Sequence, residues 1–180
     1  MTALAGPYMG AGAGKGKTHN WIVRRTGDAA GAVSPRTILV VLVEAALATL
    51  RRDRLLGSAL LRHVDLMRGL EAASPRRVSE LAEEHPEVMR LNGLNGRNLL
   101  LGQGEMEAAV ASQNVDDGYG ANGAAVLERL VELGVVSPIK EADGTRYDVV
   151  DIYRFAFNIG RRGGPQRGAA RNARAGVPPI

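Results

Sequence analysis

The clearest pattern of apolar and polar positions lies near the C-terminal end of the chain, from about residue 124 to residue 164. Apolar residues at helical spacing end at Gly134, and two β-prone runs follow, separated by Asp143-Gly144. An Asp-Gly pair between β-prone runs indicates a hairpin, because glycine tolerates the positive φ that tight turns require. This stretch therefore predicts a helix that ends at a glycine and continues directly into a two-stranded hairpin.

A helix is predicted to begin at Ser34-Pro35, because serine is a good N-cap and proline suits the first helical position. Further apolar residues, among them Val41 and Val43, lie away from its main apolar face. We therefore expect this helix to be buried from more than one direction. A second helix is expected over residues 57–73, and a third from Ser74, where the combination of serine and proline recurs.

Taken in order, these elements predict a mainly α fold. The second half resembles a winged helix-turn-helix, in which the hairpin is the wing. The predicted segments are an irregular lead-in (1–33), a helical lid-like subdomain (34–91), a linker (92–104), a winged helix with a small β-hairpin wing (105–164) and a disordered basic tail (165–180). Within the lead-in, Trp21-Ile22-Val23 is expected to be extended.

The composition narrows the class of protein. The chain has 180 residues and no cysteine, which excludes disulfides and zinc sites built on thiolates. Its longest apolar run, Ile38 to Leu50, is interrupted by Glu44 and is too short to cross a bilayer. The first ten residues lack the pattern of a signal peptide. We therefore expect a cytoplasmic protein with no membrane partner.

The segment from Gly10 to Thr18, GAGAGKGKT, resembles a phosphate-binding loop. That motif needs glycine, four residues, and then Gly-Lys-Ser/Thr. Aligning Gly16-Lys17-Thr18 with its end places Ala11 at the first position, where the motif has glycine. We predict neither the preceding strand nor the following helix that would shape such a loop, so a flexible basic loop is the preferred interpretation.

Positive charge is concentrated near the C-terminus. The formal net charge is +4, and no acidic residue follows Asp151. The helix before the hairpin has Glu128 and Glu132 among its expected exposed residues, and these would repel phosphates. Nucleic-acid contacts would then fall to the wing and the tail. The candidate residues for them are Lys140, Arg146, Arg161, Arg162 and Arg167.

No catalytic constellation is visible, since His19, His63 and His85 are widely spaced and none is at ligand spacing to another. Arg36 is the more interesting residue, because it falls in the first turn of a predicted helix, where the helix dipole is also positive. A guanidinium there can bind a nucleotide γ-phosphate through two hydrogen bonds. From the residues alone, however, the preferred interpretation is a solvated residue in a well-capped first turn.

Three segments together resemble the C-terminal region of bacterial P-loop ATPases of the AAA+/STAND type. They are Trp21 to Leu39 with Ser34-Pro35-Arg36; Glu71 to Pro86 with Ser74, Arg77-Val78 and Glu80-Leu81; and Leu133-Gly134 to Gly164 with Asp143-Gly144, Asp151-Ile152-Tyr153-Arg154 and Gly160-Arg161-Arg162. In that family a helical lid and a winged helix follow the nucleotide-binding core.

The resemblance implies a nucleotide-sensing role for Arg36, which occupies a place similar to that of the arginine at the start of the family's lid helix. Nothing in the chain resembles a nucleotide-binding sheet, a Walker B strand or a complete P-loop. The resemblance therefore implies a regulatory module that is not an enzyme. It would have no cofactor of its own, and it would contact ATP only when a P-loop ATPase core, in cis or in trans, binds the nucleotide. The alternatives are a DNA-binding winged helix that uses the wing and the tail, and, less favoured, a small independent ATPase.

Overall fold

A computed structural model describes residues 2–9, 16–51 and 60–161. Over these ranges the chain is mostly helical with a small antiparallel sheet, which confirms the mainly α prediction. The helices are α1 (Thr2–Ala5), α2 (Thr18–Thr26), α3 (Pro35–Leu50), α4 (His63–Ala82), a 3₁₀ helix (Pro86–Leu94), α5 (Gln103–Ala111), α6 (Gly123–Glu132) and α7 (Asp151–Arg154). The strands are β1 (Asn98–Leu99), β2 (Leu101–Gly102), β3 (Val136–Glu141), β4 (Gly144–Val149) and β5 (Gly160–Arg161).

The sheet is built on the predicted hairpin. β3 and β4 are antiparallel from Val136 opposite Val149 to Glu141 opposite Gly144, which confirms the hairpin. Gly144 has φ of 133°, a conformation that favours glycine at the turn. β2 adds to the other side of β4, so the strand order is β2-β4-β3. β1 and β5 form a separate parallel pair.

The predicted lead-in is helical over α2, so the expectation of an extended Trp21-Ile22-Val23 segment is wrong. The buried residues of α2 are Thr18, Ile22 and Thr26, four residues apart, which places them on one helical face. Ile22 is 1% exposed and packs in a small core cluster with Ala45 of α3 and Leu66 of α4. Burial on α3 and α4 outweighs the β propensity of the local sequence.

The predicted break at Ser74-Pro75 is also wrong, because α4 is one helix with Pro75 inside it. Ser74 lies in the interior of α4 and forms hydrogen bonds with α7 and the residues that follow it. Its hydroxyl accepts a hydrogen bond from the Ala156 amide at 2.9 Å and donates to the Tyr153 carbonyl at 3.4 Å. Residues 57–59 of the predicted second helix lie outside the described residues.

The helices α3 and α4 form a close pair that supports the rest of the chain. A Cβ atom added to Gly69 of α4 would lie only 2.3 Å from the carbonyl oxygen of Val41. The main core cluster joins Val41 to residues of α4, the 3₁₀ helix, α5, α6, the sheet and α7. It includes Leu94 and Leu99, which fall in the predicted linker and are fully buried. The division into five segments stays a prediction.

Candidate functional site

Arg36 lies where the sequence places it, at the second residue of α3. Its side chain is 77% exposed, and its Nη2 lies 3.3 Å from Oε1 of Glu80 on α4. The two helices run in opposite directions, since Arg36 meets Glu80 near the end of α4 whereas Ala45 lies against Gly69. The first turn of α3 is therefore held beside the last turns of α4.

Three arginines gather at this end of the helix pair, and we call the place the arginine crevice. It is lined by Arg36, Thr37, Val40, Ala73, Arg76, Arg77 and Glu80. Arg76 pairs with Glu44 at 2.9 Å, and Arg77 lies 3.8 Å from Glu80, so three guanidinium groups share two carboxylates. The crevice measures about 10 Å³, far below the roughly 300–1,000 Å³ of small-molecule sites, so it does not enclose a nucleotide.

Contacts continue from the arginine crevice to α7. The guanidinium carbon of Arg77 lies 5.9 Å from the centre of the Tyr153 ring, within the range of a cation–π contact. Tyr153 is 1% exposed and belongs to the main core cluster. Arg36, Glu80, Arg77 and Tyr153 thus form a continuous row of contacts, which we call the Arg36–Tyr153 path.

A second cluster surrounds Asp151, the first residue of α7, and we call it the Asp151 hub. This carboxylate is 5% exposed and pairs with Arg25 of α2, with Nε of Arg154 at 2.7 Å and with Nη1 of Arg161 at 3.5 Å. Burial by itself would raise the pKa of Asp151, but the three arginines outweigh it and hold that pKa below its ordinary value. The hub ties α2 to α7 and β5.

The loop after α2 makes a second link to the C-terminal half. The Ala29 amide donates a hydrogen bond to the Gly134 carbonyl at 2.8 Å. Gly134 has φ of 69°, and a Cβ atom added there would lie 3.1 Å from Cβ of Asp28. The turn that joins α6 to β3 is therefore packed against the segment that leads into Arg36.

The candidate nucleic-acid residues differ in how much of their charge is free. Arg161 pairs with Asp148 as well as with Asp151. Burial would lower the pKa of Arg161, but the two carboxylates raise it above its ordinary value. Arg146 pairs with Asp143 at 3.0 Å, which raises the pKa of Arg146, and with Glu141 at 3.6 Å. Both guanidinium groups are therefore already matched by carboxylates.

The structure brings Arg146 and Arg161 together along an open groove of about 320 Å³, which Leu99, Leu100 and Glu141 also line. Lys140 is exposed on β3 and does not line this groove. Arg162, Arg167 and the predicted basic tail lie outside the described residues.

The outer face of α6 is acidic, as the sequence predicts. Glu128 and Glu132 are exposed. Arg129 pairs with Glu132 at 2.9 Å and with the buried Glu87 of the 3₁₀ helix at 3.1 Å. Arg129 is therefore already paired with carboxylates of the protein itself. The exposed side of α6 carries the carboxylates of Glu128 and Glu132.

The segment that resembles a phosphate-binding loop lies partly outside the described residues, which omit 10–15. A helix does begin at Thr18, directly after Lys17, so the expectation that no helix follows the segment is wrong. Among the described residues before α2, the β-type pairing is one isolated antiparallel bridge between Tyr8 and Lys17. A P-loop instead follows a strand of a parallel sheet.

No protein family, curated protein or solved structure that was compared with the chain matches it. In the described part of the chain, no helix is long and apolar enough to cross a membrane. The same residues contain no group of three histidine, aspartate or glutamate side chains placed to hold a metal ion.

Proposed function

We propose that this chain is a non-catalytic regulatory module, composed of a helical lid and a winged helix, that couples the nucleotide state of a P-loop ATPase core to contact with a partner. The core, in cis or in trans, supplies ATP and its hydrolysis, and the chain supplies Arg36 as the residue that senses the nucleotide. A cytoplasmic location is part of the proposal and agrees with a sequence that has no cysteine.

The order of elements in the second half supports the winged-helix assignment. The chain runs β2, α5, α6, β3, β4, and the sheet order is β2-β4-β3. A winged helix-turn-helix has this kind of order, with two consecutive helices followed by a hairpin that serves as the wing. Asn122 caps α6 by accepting a hydrogen bond from the Ala125 amide at 3.1 Å, so the turn between the two helices ends at a defined residue.

The observation on which the proposal mainly rests is the Arg36–Tyr153 path. Arg36 is exposed and therefore accessible to a phosphate bound by another domain, and the crevice beside it is too small to hold the nucleotide itself. A γ-phosphate that paired with Arg36 would compete with Glu80, and Glu80 also pairs with Arg77. Arg77 contacts Tyr153, so a change at Arg36 has a short route to α7 and to the sheet.

Binding to DNA is less well supported as a function. Arg146 and Arg161 are paired with carboxylates, and the exposed face of α6 is acidic. We expect only weak duplex binding that depends on the tail and falls steeply with salt. A fluorescence titration of a labelled duplex, with the whole chain and with a chain that ends at Gly164, measures this. Tight binding that persists without the tail and is lost in Lys140→Glu would favour the DNA-binding alternative.

An ATPase assay tests the proposed function directly. The purified chain alone should show no ATP turnover, and addition to a P-loop ATPase core of the AAA+/STAND type should change the turnover of that core. Arg36→Ala should reduce this effect by about tenfold or more, because a positioned guanidinium is lost from the phosphate. Arg24→Ala, which removes an exposed arginine from α2, serves as the matched control and should have no effect. Turnover by the chain alone that disappears in Lys17→Ala would overturn the proposal.

A further inference from the structure

Helix α3 exposes a row of large apolar side chains, which we call the apolar stripe. The exposed fractions are 62% for Leu39, 56% for Val43, 39% for Leu47 and 77% for Leu50. Spacings of four, four and three residues place all four on one face of the helix. The sequence predicts that α3 is buried from more than one direction, and the face that carries these four residues is instead exposed.

The opposite face of α3 carries the apolar residues that this helix contributes to the core. Val41 and Ala45 are fully buried, and Ala48 is 9% exposed. These residues pack toward α4, where Gly69 allows the two backbones to come close. The apolar stripe is thus additional to the core, and a contiguous exposed apolar patch on a helix marks an interaction site.

The surroundings of the apolar stripe are positively charged. Arg36 lies on the same face one turn before Leu39, and the exposed Arg51 follows the last residue of the helix. Arg76, 62% exposed, lies along one side through its pair with Glu44. The carboxylates placed here by the ion pairs of the arginine crevice are Glu44 and Glu80, and each of them is already paired with arginine. Among these described residues, Arg36, Arg51 and Arg76 outnumber the two carboxylates along the stripe.

This charge distinguishes between possible occupants. Two copies of the chain packed stripe to stripe would bring two arginine-bordered faces together, and like charges oppose such a contact. The C-terminal segment of the chain is unsuitable for the same reason, since it contains arginine and no acidic residue after Asp151. A surface that matches both properties must be apolar at its centre and carry aspartate or glutamate at its edges.

We infer that the apolar stripe of α3 is the docking surface for a protein partner that presents an apolar face bordered by carboxylates. The inference deepens the proposed function and rests on it in one respect: a partner seated on the stripe would also reach Arg36, so the docked protein would be the one that holds the nucleotide. Docking through apolar contacts and opposite charges requires neither ATP nor DNA.

A peptide probe tests the inference without knowledge of the natural partner. The probe is an amphipathic helical peptide with leucine on one face and glutamate along both edges, and its match has lysine in place of every glutamate. We expect the acidic peptide to bind and its affinity to fall with added salt, and the lysine peptide to bind roughly tenfold more weakly or not at all. Binding is measured by calorimetry on the whole chain.

The protein variants assign the binding to the stripe. Leu39→Gln/Val43→Gln removes two exposed side chains from the half of α3 that is farther from the undescribed residues 52–59, and should weaken binding of the acidic peptide roughly tenfold or more. Met89→Gln, which changes an apolar residue with 37% exposure on the 3₁₀ helix, is the matched control and should bind normally. Circular dichroism checks that both variants remain folded.

Three results would overturn the inference: equal binding of both peptides, unchanged binding by Leu39→Gln/Val43→Gln, or self-association in sedimentation that this double variant abolishes. The third result would identify a second copy of the chain as the occupant. If the acidic peptide binds as expected while Arg36→Ala has no effect on ATPase turnover, the proposed function fails and the docking surface remains.

Discussion

Replacing Arg90 with alanine is expected to lower the free energy of unfolding by about 3–5 kcal/mol, a large part of the stability of a typical domain. Arg90 is 1% exposed and forms a double hydrogen bond with Asp117, one of them at 2.7 Å. Its guanidinium also donates to the Gln113 carbonyl at 2.9 Å and to the Val115 carbonyl at 3.4 Å. Without it, the buried Asp117 carboxylate loses its counter-charge and two of its hydrogen bonds, although it still accepts one from the Tyr119 amide.

The consequence extends to the loop between α5 and α6, because Arg90 binds this loop to the 3₁₀ helix through Gln113, Val115 and Asp117. Urea unfolding of Arg90→Ala, with Arg97→Ala as the control for an exposed arginine, measures the effect. The control should change stability by less than about 0.5 kcal/mol. Equal stability losses in the two variants would show that the buried pair contributes nothing beyond an exposed charge.

The same pair predicts a dependence on pH. Hydrogen bonds from Arg90 hold the pKa of Asp117 below its ordinary value, against burial, which would raise it. A carboxylate whose pKa is lowered in the folded state adds stability above its unfolded pKa of about 3.9, and that stability is lost as the pH falls toward the folded value. This acid-side loss should therefore be smaller in Arg90→Ala, in which Asp117 has lost its guanidinium partner and keeps the hydrogen bond from the Tyr119 amide.

Asp151→Asn is expected to be the second most damaging change, with a loss of about 2–3 kcal/mol. The substitution keeps the size of the side chain and removes the negative charge that Arg25, Arg154 and Arg161 share. The expected loss is smaller than for Arg90→Ala because Arg25 and Arg161 are partly exposed and regain water. The lowered pKa of Asp151 places its contribution at neutral pH and its loss on the acid side.

Hydrogen exchange shows where the Asp151 hub acts. In Asp151→Asn the backbone amides of α2 should lose protection, because the ion pair between Arg25 and Asp151 links α2 to α7. The amides of the β3–β4 hairpin should change little. Asp143→Asn is the matched control, because it removes an exposed aspartate that is paired with Arg146. Unchanged protection of α2 in Asp151→Asn would mean that apolar contacts alone hold this helix in place.

The sequence predicts the elements whose causes are local. The hairpin follows from Asp143-Gly144, and the start of α3 from Pro35 at the first helical position, because such preferences act within a few residues. Ser34 is the N-cap residue, but its side chain makes no capping hydrogen bond. The continuity of α4 through Pro75 could not be predicted in this way. The group that binds Ser74 is 79 residues away, so nothing near the serine shows that it is not an N-cap.

In the candidate site, too, the sequence predicts what depends on local structure and does not predict what depends on tertiary packing. The sequence predicts the position of Arg36 because this position depends on one helix start, whereas its ion pair with Glu80 depends on how α3 packs against α4. Its basic neighbours make Arg161 a candidate phosphate contact, which stays a prediction, whereas its ion pairs with Asp148 and Asp151 depend on tertiary packing that the local sequence does not show. The sequence analysis does not predict a role for Arg90, although its apolar neighbours Val88 and Leu91 are a signal that the arginine is buried and therefore has a partner.

The ion pair between Arg25 and Asp151 joins residues that are 126 positions apart. On the ribosome, Arg25 leaves the exit tunnel long before Asp151 has been synthesised, whereas α3 and α4 have each other as partners much earlier. The contact between α3 and α4 can therefore form before α7 has been synthesised, whereas the ion pair between α2 and α7 needs nearly the whole described chain. The members of the small apolar cluster around Ile22 lie between Ala5 and Leu66, so this cluster can be complete long before the ion pair that fixes α2 to α7 exists.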